Sequence, residues 1–427
     1  MKTTIHIPGL IIDRKIAEGG QGEVFAVREN GKPLALKLYF EKNATPEQRQ
    51  IIEELIQSGH PKTRNPDSFI WPMKLVELPG DKRFGYLMPL IDMRRYITLA
   101  HIESGRVRHP GYETLIRYCC CLAECFRDLH IEGYCYRDIS KYNVMFSPET
   151  GDVVICDNDN VVVNKHGPGQ ISGTTQFMAP EVILRKARPS TATDHHSLGI
   201  LLFMTLFGGN PFHGIMEHGI HIFDGNAAEY LYGHKPVFVF DPHDASNRLP
   251  DLPGYRHVKT QWMIFPEDTR SLFIRAFTSG IRNPADRVTD VEWVSAFTKL
   301  LGRRHVCSCG AENFWEPARK DQRRCWNKGC KVDYPGKLVI GDRSSVLIKS
   351  GQQITSLHFG EKAASKPVGE IVPHPSAAST FILRNTTGES WLAGTGSKQV
   401  EVPAGKGIAL RPGIRIKAMQ QELAVYP

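Results

Sequence analysis

The feature that most constrains the fold is the pattern of residues 15 to 38, which read KIAEGGQGEVFAVRENGKPLALKL. Apolar and polar residues alternate on either side of two glycine-containing turns, EGGQG and ENG. Such alternation predicts β-strands, and Asn-Gly is typical of the two-residue turn of a β-hairpin. We therefore expect the chain to begin with an antiparallel sheet and not with alternating β-α-β units.

The first of these turns has the composition of a phosphate-binding loop. Gly19, Gly20 and Gly22 lack a Cβ, so their backbone N–H groups can approach phosphate oxygens closely. Lys37 ends the strand PLALK as a point charge that could hold the α- and β-phosphates of a nucleotide. A glycine cluster alone is more often an ordinary turn than a nucleotide clamp, but its spacing from Lys37 favours the nucleotide site.

The segment from Tyr136 to Asn143 reads YRDISKYN and is either a surface turn or the catalytic loop of a phosphoryl-transfer enzyme. It follows a helix predicted over 111 to 131 and precedes DVVICDND at 152 to 159, a predicted buried strand that ends in two aspartates. The irregular loop GTTQFMAPE follows at 173 to 181. The interpretation of YRDISKYN depends on these neighbours and on their order.

Six motifs, taken in their order along the chain, resemble the signature set of protein kinases. They are the glycine-rich turn, the strand lysine, Y-R-D with its later asparagine, the acidic strand end, G-T-x-x-x-M-A-P-E and D-x-x-S-L-G. The resemblance covers roughly residues 10 to 300. It implies an α+β multidomain chain that begins with the bilobal protein-kinase fold. The implied N-lobe is residues 1 to 90 and the implied C-lobe is residues 91 to 302.

The resemblance assigns the chemistry of phosphoryl transfer, which needs positioning and charge neutralisation more than covalent help, to four side chains. Asp138 accepts or orients the proton of the substrate hydroxyl. Asn143 and Asp157 hold Mg²⁺, which prefers oxygen ligands, and Lys37 contacts the phosphates of ATP. In the implied hinge, adenine uses the Pro89 carbonyl and the Ile91 N–H. The implied nucleotide contacts are Gly19, Gly20, Gly22, Val24, Ala35, Lys37, Met88, Pro89 and Ile91.

Several positions depart from the kinase pattern. Ala17 replaces the first glycine of the loop, and Tyr136 replaces the histidine before Arg-Asp. Asn158 and Asp159 replace the Phe-Gly that follows the metal-binding aspartate, which puts the in/out switching of that segment in doubt. Asp159 is an alternative metal ligand. Ser140 occupies the position at which Ser/Thr kinases commonly have the catalytic-loop lysine, and Lys141 follows one position later.

The helix glutamate that pairs with the strand lysine in kinases is left open by the sequence. Thr45 as N-cap and Pro46 at the first position predict a helix over 46 to 57. Glu47 lies nearest its apolar face, whereas Glu53 and Glu54 have the more usual distance from Lys37. Each of the three is otherwise a solvated carboxylate.

The loop after Asp157 favours a protein substrate, because small-molecule kinases of related fold lack G-T-x-x-x-M-A-P-E. By the resemblance, Thr174 contacts the catalytic aspartate and Glu181 pairs with Arg287. Asp194 braces the backbone of the catalytic loop.

The same loop offers acceptors for autophosphorylation. Arg137 could hold a phosphate on Ser172, Thr174 or Thr175, and unmodified polar residues are the alternative.

Beyond the kinase region, Cys307-x-Cys309 and Cys325-x4-Cys330 are separated by fifteen residues. Two cysteine pairs at that separation predict a Cys₄ zinc ribbon over 303 to 335, with free thiols as the alternative. The spacings of one and four residues differ from the commoner two.

Residues 336 to 427 alternate short apolar strands with turn residues, which predicts a small all-β, sandwich-like domain. Two of its segments, FILRNTTGESW and VPAGKGIALRPGIRI, weakly resemble forkhead-associated domains, although no phosphate-binding arginine and serine pair stands out. The order of kinase, ribbon and β-domain resembles the bacterial kinases of the tellurite-resistance-associated TerY phosphorylation triad (TerY-P). That resemblance implies a von Willebrand A domain protein and a PP2C-type phosphatase as partners.

The remaining features restrict the class of protein only broadly. The 53 basic and 45 acidic residues give a net charge of +8, which indicates neither nucleic-acid nor membrane binding. The N-terminus lacks a signal-peptide pattern, and the apolar run at 198 to 209 is a buried helix too short for a membrane span, so we expect a cytoplasmic location. We expect an active Ser/Thr kinase that uses ATP, Mg²⁺ and a structural Zn²⁺. The alternative is a nucleotide-binding pseudokinase scaffold.

Overall fold

A computed structural model describes residues 7–63, 66–164, 173–316, 323–341, 344–361, 366–396 and 398–427. Its first part is a five-stranded antiparallel sheet with the strand order β1-β2-β3-β5-β4, which confirms the predicted antiparallel start. The strands are β1 (Leu10–Glu18), β2 (Gly22–Glu29), β3 (Lys32–Tyr39), β4 (Lys74–Glu77) and β5 (Phe84–Pro89).

Helix α1 (Pro46–Ser58) packs against this sheet and begins where the sequence predicts. The Thr45 hydroxyl accepts a hydrogen bond from the backbone N–H of Gln48 at 3.2 Å, which satisfies one of the free N–H groups of the first turn. Ile52 and Leu55 are buried on the inner face of the helix.

The second lobe is mainly helical, and its core is formed around α5, whose residues are buried on nearly all sides. This arrangement confirms the apolar run that begins at 198 as a core helix up to Phe207, and Gly208 and Gly209 follow the end of the helix. None of the helices in the described part of the chain combines the length and the apolar character that a membrane crossing requires. The helices are α2 (Leu99–Glu103), α3 (Tyr112–Ile131), α4 (Pro180–Ile183), α5 (Thr191–Phe207), α6 (Ile215–His218), α7 (Gly225–Glu229), α8 (Arg256–Ile264), α9 (Glu267–Phe277), α10 (Ser279–Arg282) and α11 (Asp290–Arg303).

Four short strands position the loops between the lobes. They are β6 (Tyr134–Cys135), β7 (Val144–Phe146), β8 (Val153–Ile155) and β9 (Val162–Val163). Strand β6 pairs with β9, and β7 pairs with β8, both antiparallel. The loop from β6 to β7 and the turn from β8 to β9 therefore lie side by side.

The described part of the C-terminal region is built mainly from strands, with one short 3₁₀ helix at Ser356–Phe359. Strands β10 (Arg304–Val306) and β11 (Glu312–Phe314) form a hairpin next to the four cysteines. Two further antiparallel sheets, β13-β12-β21-β20-β17-β18 and β14-β15-β16-β19, share one apolar core. Their strands are β12 (Lys337–Ile340), β13 (Ser344–Leu347), β14 (Gln352–Thr355), β15 (Pro367–His374), β16 (Ala377–Asn385), β17 (Trp391–Thr395), β18 (Lys398–Val402), β19 (Gly407–Leu410), β20 (Arg415–Ala418) and β21 (Gln421–Tyr426).

Both C-terminal parts bond to helix ends of the second lobe. The Glu312 carboxylate accepts hydrogen bonds from the backbone N–H groups of Tyr112 and Glu113, at the start of α3. The Lys349 ammonium donates to the carbonyls of Leu301 and Arg304 at 3.1 and 2.9 Å, at the end of α11. A carboxylate at a helix start and a cation at a helix end are the favourable placements for the helix dipole. The described C-terminal residues are therefore attached to the second lobe.

Candidate functional site

One face of the N-terminal sheet carries the predicted nucleotide contacts. Val24 lies opposite Lys37, and Ala35 lies opposite Met88. Directly opposed residues point to the same side of a sheet, as do alternate residues of one strand. The four side chains therefore share the face that packs towards the second lobe. Pro89 ends β5, two residues before Ile91.

The glycine-rich turn is closed by a hydrogen bond from the Gly19 N–H to the Gly22 carbonyl at 2.9 Å. A Cβ on Gly22 would lie 2.2 Å from the carbonyl oxygen of Leu38, so only glycine fits there. Around Gly20 there is open space, because a Cβ would have no neighbour within 4 Å. The turn thus combines one sterically required glycine with an open tip.

Lys37 lies on this face with a side chain that is only 5% exposed. Its ammonium lies 2.8 Å from Oδ2 of Asp159, 3.4 Å from Oδ1 of Asp157 and 3.2 Å from Oε1 of Gln21. Burial alone lowers the pKa of Lys37, but Asp159 and Asp157 raise it, so that its pKa ends above the ordinary value. Lys37 is therefore charged at neutral pH.

Asp138 lies in the loop between β6 and β7 and is held from both sides. Its Oδ1 accepts the backbone N–H of Thr174 at 2.9 Å and the Thr174 hydroxyl at 3.2 Å. Its Oδ2 accepts the amide of Asn143 at 2.9 Å. Burial raises the pKa of the Asp138 carboxyl, against these hydrogen bonds. The contact between Thr174 and the aspartate is as predicted.

Asn143 and Asp157, the predicted metal ligands, lie on adjoining backbone segments. The N–H of Cys156 donates to the Asn143 carbonyl at 2.8 Å. Asp157 has φ of 51° and ψ of 46°, in the left-handed region, where strain is tolerated at functional sites. Its side chain is 42% exposed. The partial burial of the carboxyl group raises its pKa, although the nearby Lys37 ammonium acts to lower it. An amide oxygen and an accessible carboxylate are a donor set that fits Mg²⁺.

The residues after Asp157 are fixed by polar contacts. The Asn158 amide is buried and donates to the carbonyls of Ile70 and Ile155, each at 2.9 Å. The Asn160 carbonyl accepts a hydrogen bond from Nε of Arg137 at 2.6 Å. Asn158 thus replaces a packed phenylalanine with two hydrogen bonds. The Arg137 side chain, predicted to bind a loop phosphate, already has a backbone partner.

The other predicted loop acceptors differ in their surroundings. Thr174 is bonded to Asp138, whereas Thr175 is exposed. Ser172 lies outside the described residues.

Lys141, the predicted catalytic-loop lysine, forms an ion pair with the last residue of α2. The Lys141 ammonium pairs with the Glu103 carboxylate at 2.6 Å, and its side chain is 15% exposed. Ser140, at the usual lysine position, is fully buried. Of these two lysines, Lys37 is therefore the one that lies beside Asp157, in the cleft between the N-terminal sheet and the second lobe.

The backbone of the catalytic loop is braced as the sequence predicts. The Asp194 carboxylate accepts the N–H groups of Tyr136 and Arg137, at 2.6 and 3.0 Å. These bonds hold Arg137 at φ of 74°, in the left-handed region. A left-handed backbone conformation at a residue other than glycine costs of order 1–3 kcal/mol, and the surrounding contacts offset this strain.

Sequence reasoning missed His130 and Asp290, which extend the brace. His130 Nε2 lies 3.1 Å from Asp194, and its Nδ1 lies 2.7 Å from Asp290, which also contacts Nε2 of His195 at 3.2 Å. Burial lowers the pKa of His130, but Asp290 and Asp194 raise it to about 10. Both ring nitrogens of His130 are used in these bonds, so the cluster is better explained as a charged brace than as a metal site. A buried histidine between two distant aspartates gives no spacing signal.

The predicted pair of Glu181 and Arg287 forms through two parallel hydrogen bonds of 2.8 Å. The Arg287 Nε also donates to the Gly280 carbonyl at 3.0 Å. The end of the loop at 173 to 181 is thereby attached to the segment before α11.

The four C-terminal cysteines come together, with all Sγ atoms within 4.8 Å of one another. The closest pair, Cys307 and Cys330, is separated by 3.1 Å, well beyond the roughly 2.05 Å of a disulfide. Each cysteine pair lies on a tight turn closed by a glycine. The Gly310 N–H donates to the Cys307 carbonyl and the Gly329 N–H to the Cys325 carbonyl, and the two glycines have φ of 85° and 65°. The donor set, four sulfurs on two turns, fits a tetrahedral Zn²⁺ ion.

Comparison with known proteins agrees with the site. The family model described as "Protein kinase domain" matches residues 10–233. Ribosomal protein S6 kinase alpha-4 of Mus musculus is 27% identical over 226 residues, which are 49% of this chain and 27% of that protein. CBL-interacting serine/threonine-protein kinase 7 of Arabidopsis thaliana is 23% identical over 355 residues, 79% of this chain and 78% of that protein.

A third relative, cGMP-dependent protein kinase, isozyme 2 forms cD5/T2, of Drosophila melanogaster, is 28% identical over 217 residues, 49% of this chain and 22% of that protein. The chain spans only about a quarter of the length of the S6 kinase relatives. The domain match covers just over half of the 427 residues and includes the glycine-rich turn, the catalytic loop and the loop at 173 to 181. This chain belongs to the protein kinase domain family.

Proposed function

We propose that this protein is an ATP-dependent serine/threonine protein kinase. The observation that carries the proposal is one connected set of contacts across the cleft. Lys37 lies 3.4 Å from Asp157, the backbone of Cys156 bonds to Asn143, and Asn143 donates to Asp138 at 2.9 Å. This set combines a cation, metal-ligand oxygens and a proton acceptor, the groups that phosphoryl transfer needs.

The roles of these residues follow from their surroundings. Lys37, buried and charged, would hold the α- and β-phosphates of ATP beneath the glycine-rich turn. Asn143 and Asp157 would hold Mg²⁺, which supplies neutralisation of phosphate charge. Asp138, fixed by Thr174 and Asn143, would orient the incoming hydroxyl and accept its proton.

The nucleotide site is completed by the shared face of the sheet. Val24 and Ala35 would contact adenine from the sheet, with Met88 at the back of the pocket. The carbonyl of Pro89 and the N–H of Ile91 would bond to its edge. Proline is tolerated there because only a carbonyl is required of it.

A protein substrate is supported by the loop at 173 to 181. This loop reaches the cleft through Thr174 and is anchored to the lobe by Glu181 and Arg287. An ordered loop beside the proton acceptor offers an extended peptide a surface on which its serine or threonine can approach Asp138.

The C-terminal parts would recruit partners. Cys307, Cys309, Cys325 and Cys330 would hold one structural Zn²⁺ ion, in a ribbon over 303 to 335 that follows the kinase lobes at 1 to 90 and 91 to 302. The β-domain at 336 to 427 would then serve for docking. By their resemblance to the TerY-P kinases, the partners would be a von Willebrand A domain protein and a PP2C-type phosphatase in a bacterial signalling module.

A nucleotide-binding scaffold without transfer is the second candidate, and one observation favours it. Lys141 pairs with Glu103 instead of facing the transferred phosphate. Loss of that cation would slow transfer without weakening nucleotide binding.

The test is a transfer assay with γ-labelled ATP, Mg²⁺ and a generic basic protein, followed by identification of the labelled amino acid. Phosphoserine or phosphothreonine that disappears with Asp138→Ala supports the proposal. Phosphotyrosine contradicts the serine/threonine assignment. Absence of label while nucleotide still binds supports the scaffold.

A further inference from the structure

Lys37 and Asp159 form a closed, buried ion pair. The Lys37 ammonium lies 3.0 and 2.8 Å from the two oxygens of Asp159. The side chains are 5% and 0% exposed. A buried ammonium is tolerated only beside a compensating carboxylate, so one residue must supply it.

Helix α1 does not supply this carboxylate. Glu47, Glu53 and Glu54 are all exposed. Glu53 bonds to Arg49 at 2.9 Å and Glu54 accepts the amide of Gln50 at 2.8 Å. Among the described residues, the carboxylates within ion-pair distance of Lys37 are those of Asp157 and Asp159.

The contact between helix α1 and this pair is neutral. The Gln48 amide donates to the Tyr39 hydroxyl at 3.0 Å, and the Tyr39 hydroxyl donates to Asp159. The hydrogen-bonded path from the helix to Asp159 therefore runs through two uncharged groups. Displacing the helix would break a hydrogen bond but would leave the Lys37 ion pair in place.

Building on the proposed kinase function, we infer that Asp159 is the positioning residue that holds Lys37 for the nucleotide phosphates, in the place of a carboxylate from helix α1. Asp159 is fully buried between Lys37 and Tyr39, whereas Asp157, two residues earlier, is 42% exposed and open to the cleft. The two aspartates thus have different roles. Asp159 orients the cation, and Asp157 is left for the metal ion.

The residues on either side of Asp159 are hydrogen-bonded to segments other than helix α1. Asn158 is anchored to Ile70 and Ile155, and the Asn160 carbonyl to Arg137. Asp159 is therefore held on a turn whose neighbours on both sides are hydrogen-bonded. A rigid turn is a suitable support for a residue that must keep Lys37 in one orientation.

A double-mutant cycle on the full chain tests the inference, read out as the Kd of a fluorescent ATP analogue with Mg²⁺. Lys37→Met and Asp159→Asn are each expected to weaken binding about tenfold, and the double variant to be no weaker than Lys37→Met, because Asp159 acts through Lys37. The Mg²⁺ concentration at half-maximal binding should be unchanged by Asp159→Asn. Losses that multiply would show that Asp159 acts independently of Lys37, and a large shift in the Mg²⁺ requirement would show that Asp159 is itself a metal ligand. Either result would overturn the inference.

A surface variant keeps the inference testable if Asp159→Asn does not fold. The combined variant Glu47→Gln, Glu53→Gln and Glu54→Gln removes every carboxylate of helix α1 at exposed positions. Its Kd is expected to stay within about twofold of the wild type, since surface changes perturb little. A tenfold loss would identify a helix carboxylate as the true partner of Lys37 and would contradict the inference.

This binding readout separates the inference from the proposed function. If wild-type protein binds nucleotide, shows the non-additive cycle and transfers no phosphate, the kinase proposal fails and the inference stands. If wild-type protein transfers phosphate but the losses multiply, the inference fails and the kinase proposal stands.

Discussion

Arg287 donates two parallel hydrogen bonds of 2.8 Å to the Glu181 carboxylate, and the Arg287 side chain is only 1% exposed. The pair joins the loop beside Asp138 to the segment before α11. Removal of one partner of a buried pair leaves an uncompensated charge, which costs about 3–5 kcal/mol. We therefore expect Glu181→Gln to lower the free energy of unfolding of the kinase region by about 3 kcal/mol in urea titrations.

The matched control is an exposed pair on the same lobe. Lys259 and Asp251 lie 3.3 Å apart, and the Asp251 side chain is fully exposed. Asp251→Asn should change the free energy of unfolding by less than about 0.5 kcal/mol. Equal effects of the two substitutions would show that the Glu181 pair is not structurally special.

Asp157→Asn should raise the Mg²⁺ concentration needed for half-maximal activity by about tenfold, because it removes one negative ligand oxygen. The measurement is a Mg²⁺ titration at saturating ATP. Asp159→Asn serves as the comparison and is expected to leave the Mg²⁺ midpoint in place. An unshifted midpoint for Asp157→Asn would mean that another residue holds the metal.

His130 gives the fold a defined pH dependence. Its folded-state pKa of about 10 lies above the ordinary 6.5, so its stabilising contribution is complete below pH 6.5 and is lost as the pH rises through 10. The difference in free energy of unfolding between wild type and His130→Asn should therefore shrink by about 2–3 kcal/mol between pH 7 and pH 9.5. A difference that stays constant would show that His130 is neutral between Asp194 and Asp290.

The cysteine cluster should contain one zinc ion per chain, measured by elemental analysis of the purified protein. Cys309→Ser and Cys325→Ser should each abolish that content and lower the melting temperature, because a metal-bound structural site contributes folding energy. Cys120→Ser, in α3 and outside the cluster, should retain the zinc. A zinc-free wild type that keeps its melting temperature in a strong chelator would support four free thiols.

Most of the fold was predictable because the local signals were strong. The alternation around Gly22 predicted an antiparallel sheet, and Thr45 with Pro46 predicted the start of α1. The contacts of Asp194 with the catalytic loop and of Glu181 with Arg287 followed from family motifs. Patterns of this kind predict well because the local preference and the tertiary contact agree.

The parts that could not be predicted depend on contacts between distant segments. Asp159 was interpreted only as an alternative metal ligand, since nothing in its spacing shows that it is buried against β3, 120 residues earlier. The sequence left open which of the three glutamates of α1 pairs with Lys37. In the structure the buried partner of Lys37 is Asp159, which lies outside helix α1. His130 was missed because its two aspartate partners lie 64 and 160 residues away.

The most direct test of the account is the rate of γ-phosphate transfer by wild type and Asp138→Asn at saturating Mg²⁺ and ATP, followed by intact mass. Asparagine keeps the size of the side chain but cannot accept the hydroxyl proton. We expect a rate loss of about 10²–10⁴-fold with the nucleotide Kd unchanged. Equal rates for the two proteins would contradict the account, because the transfer would then not pass through Asp138.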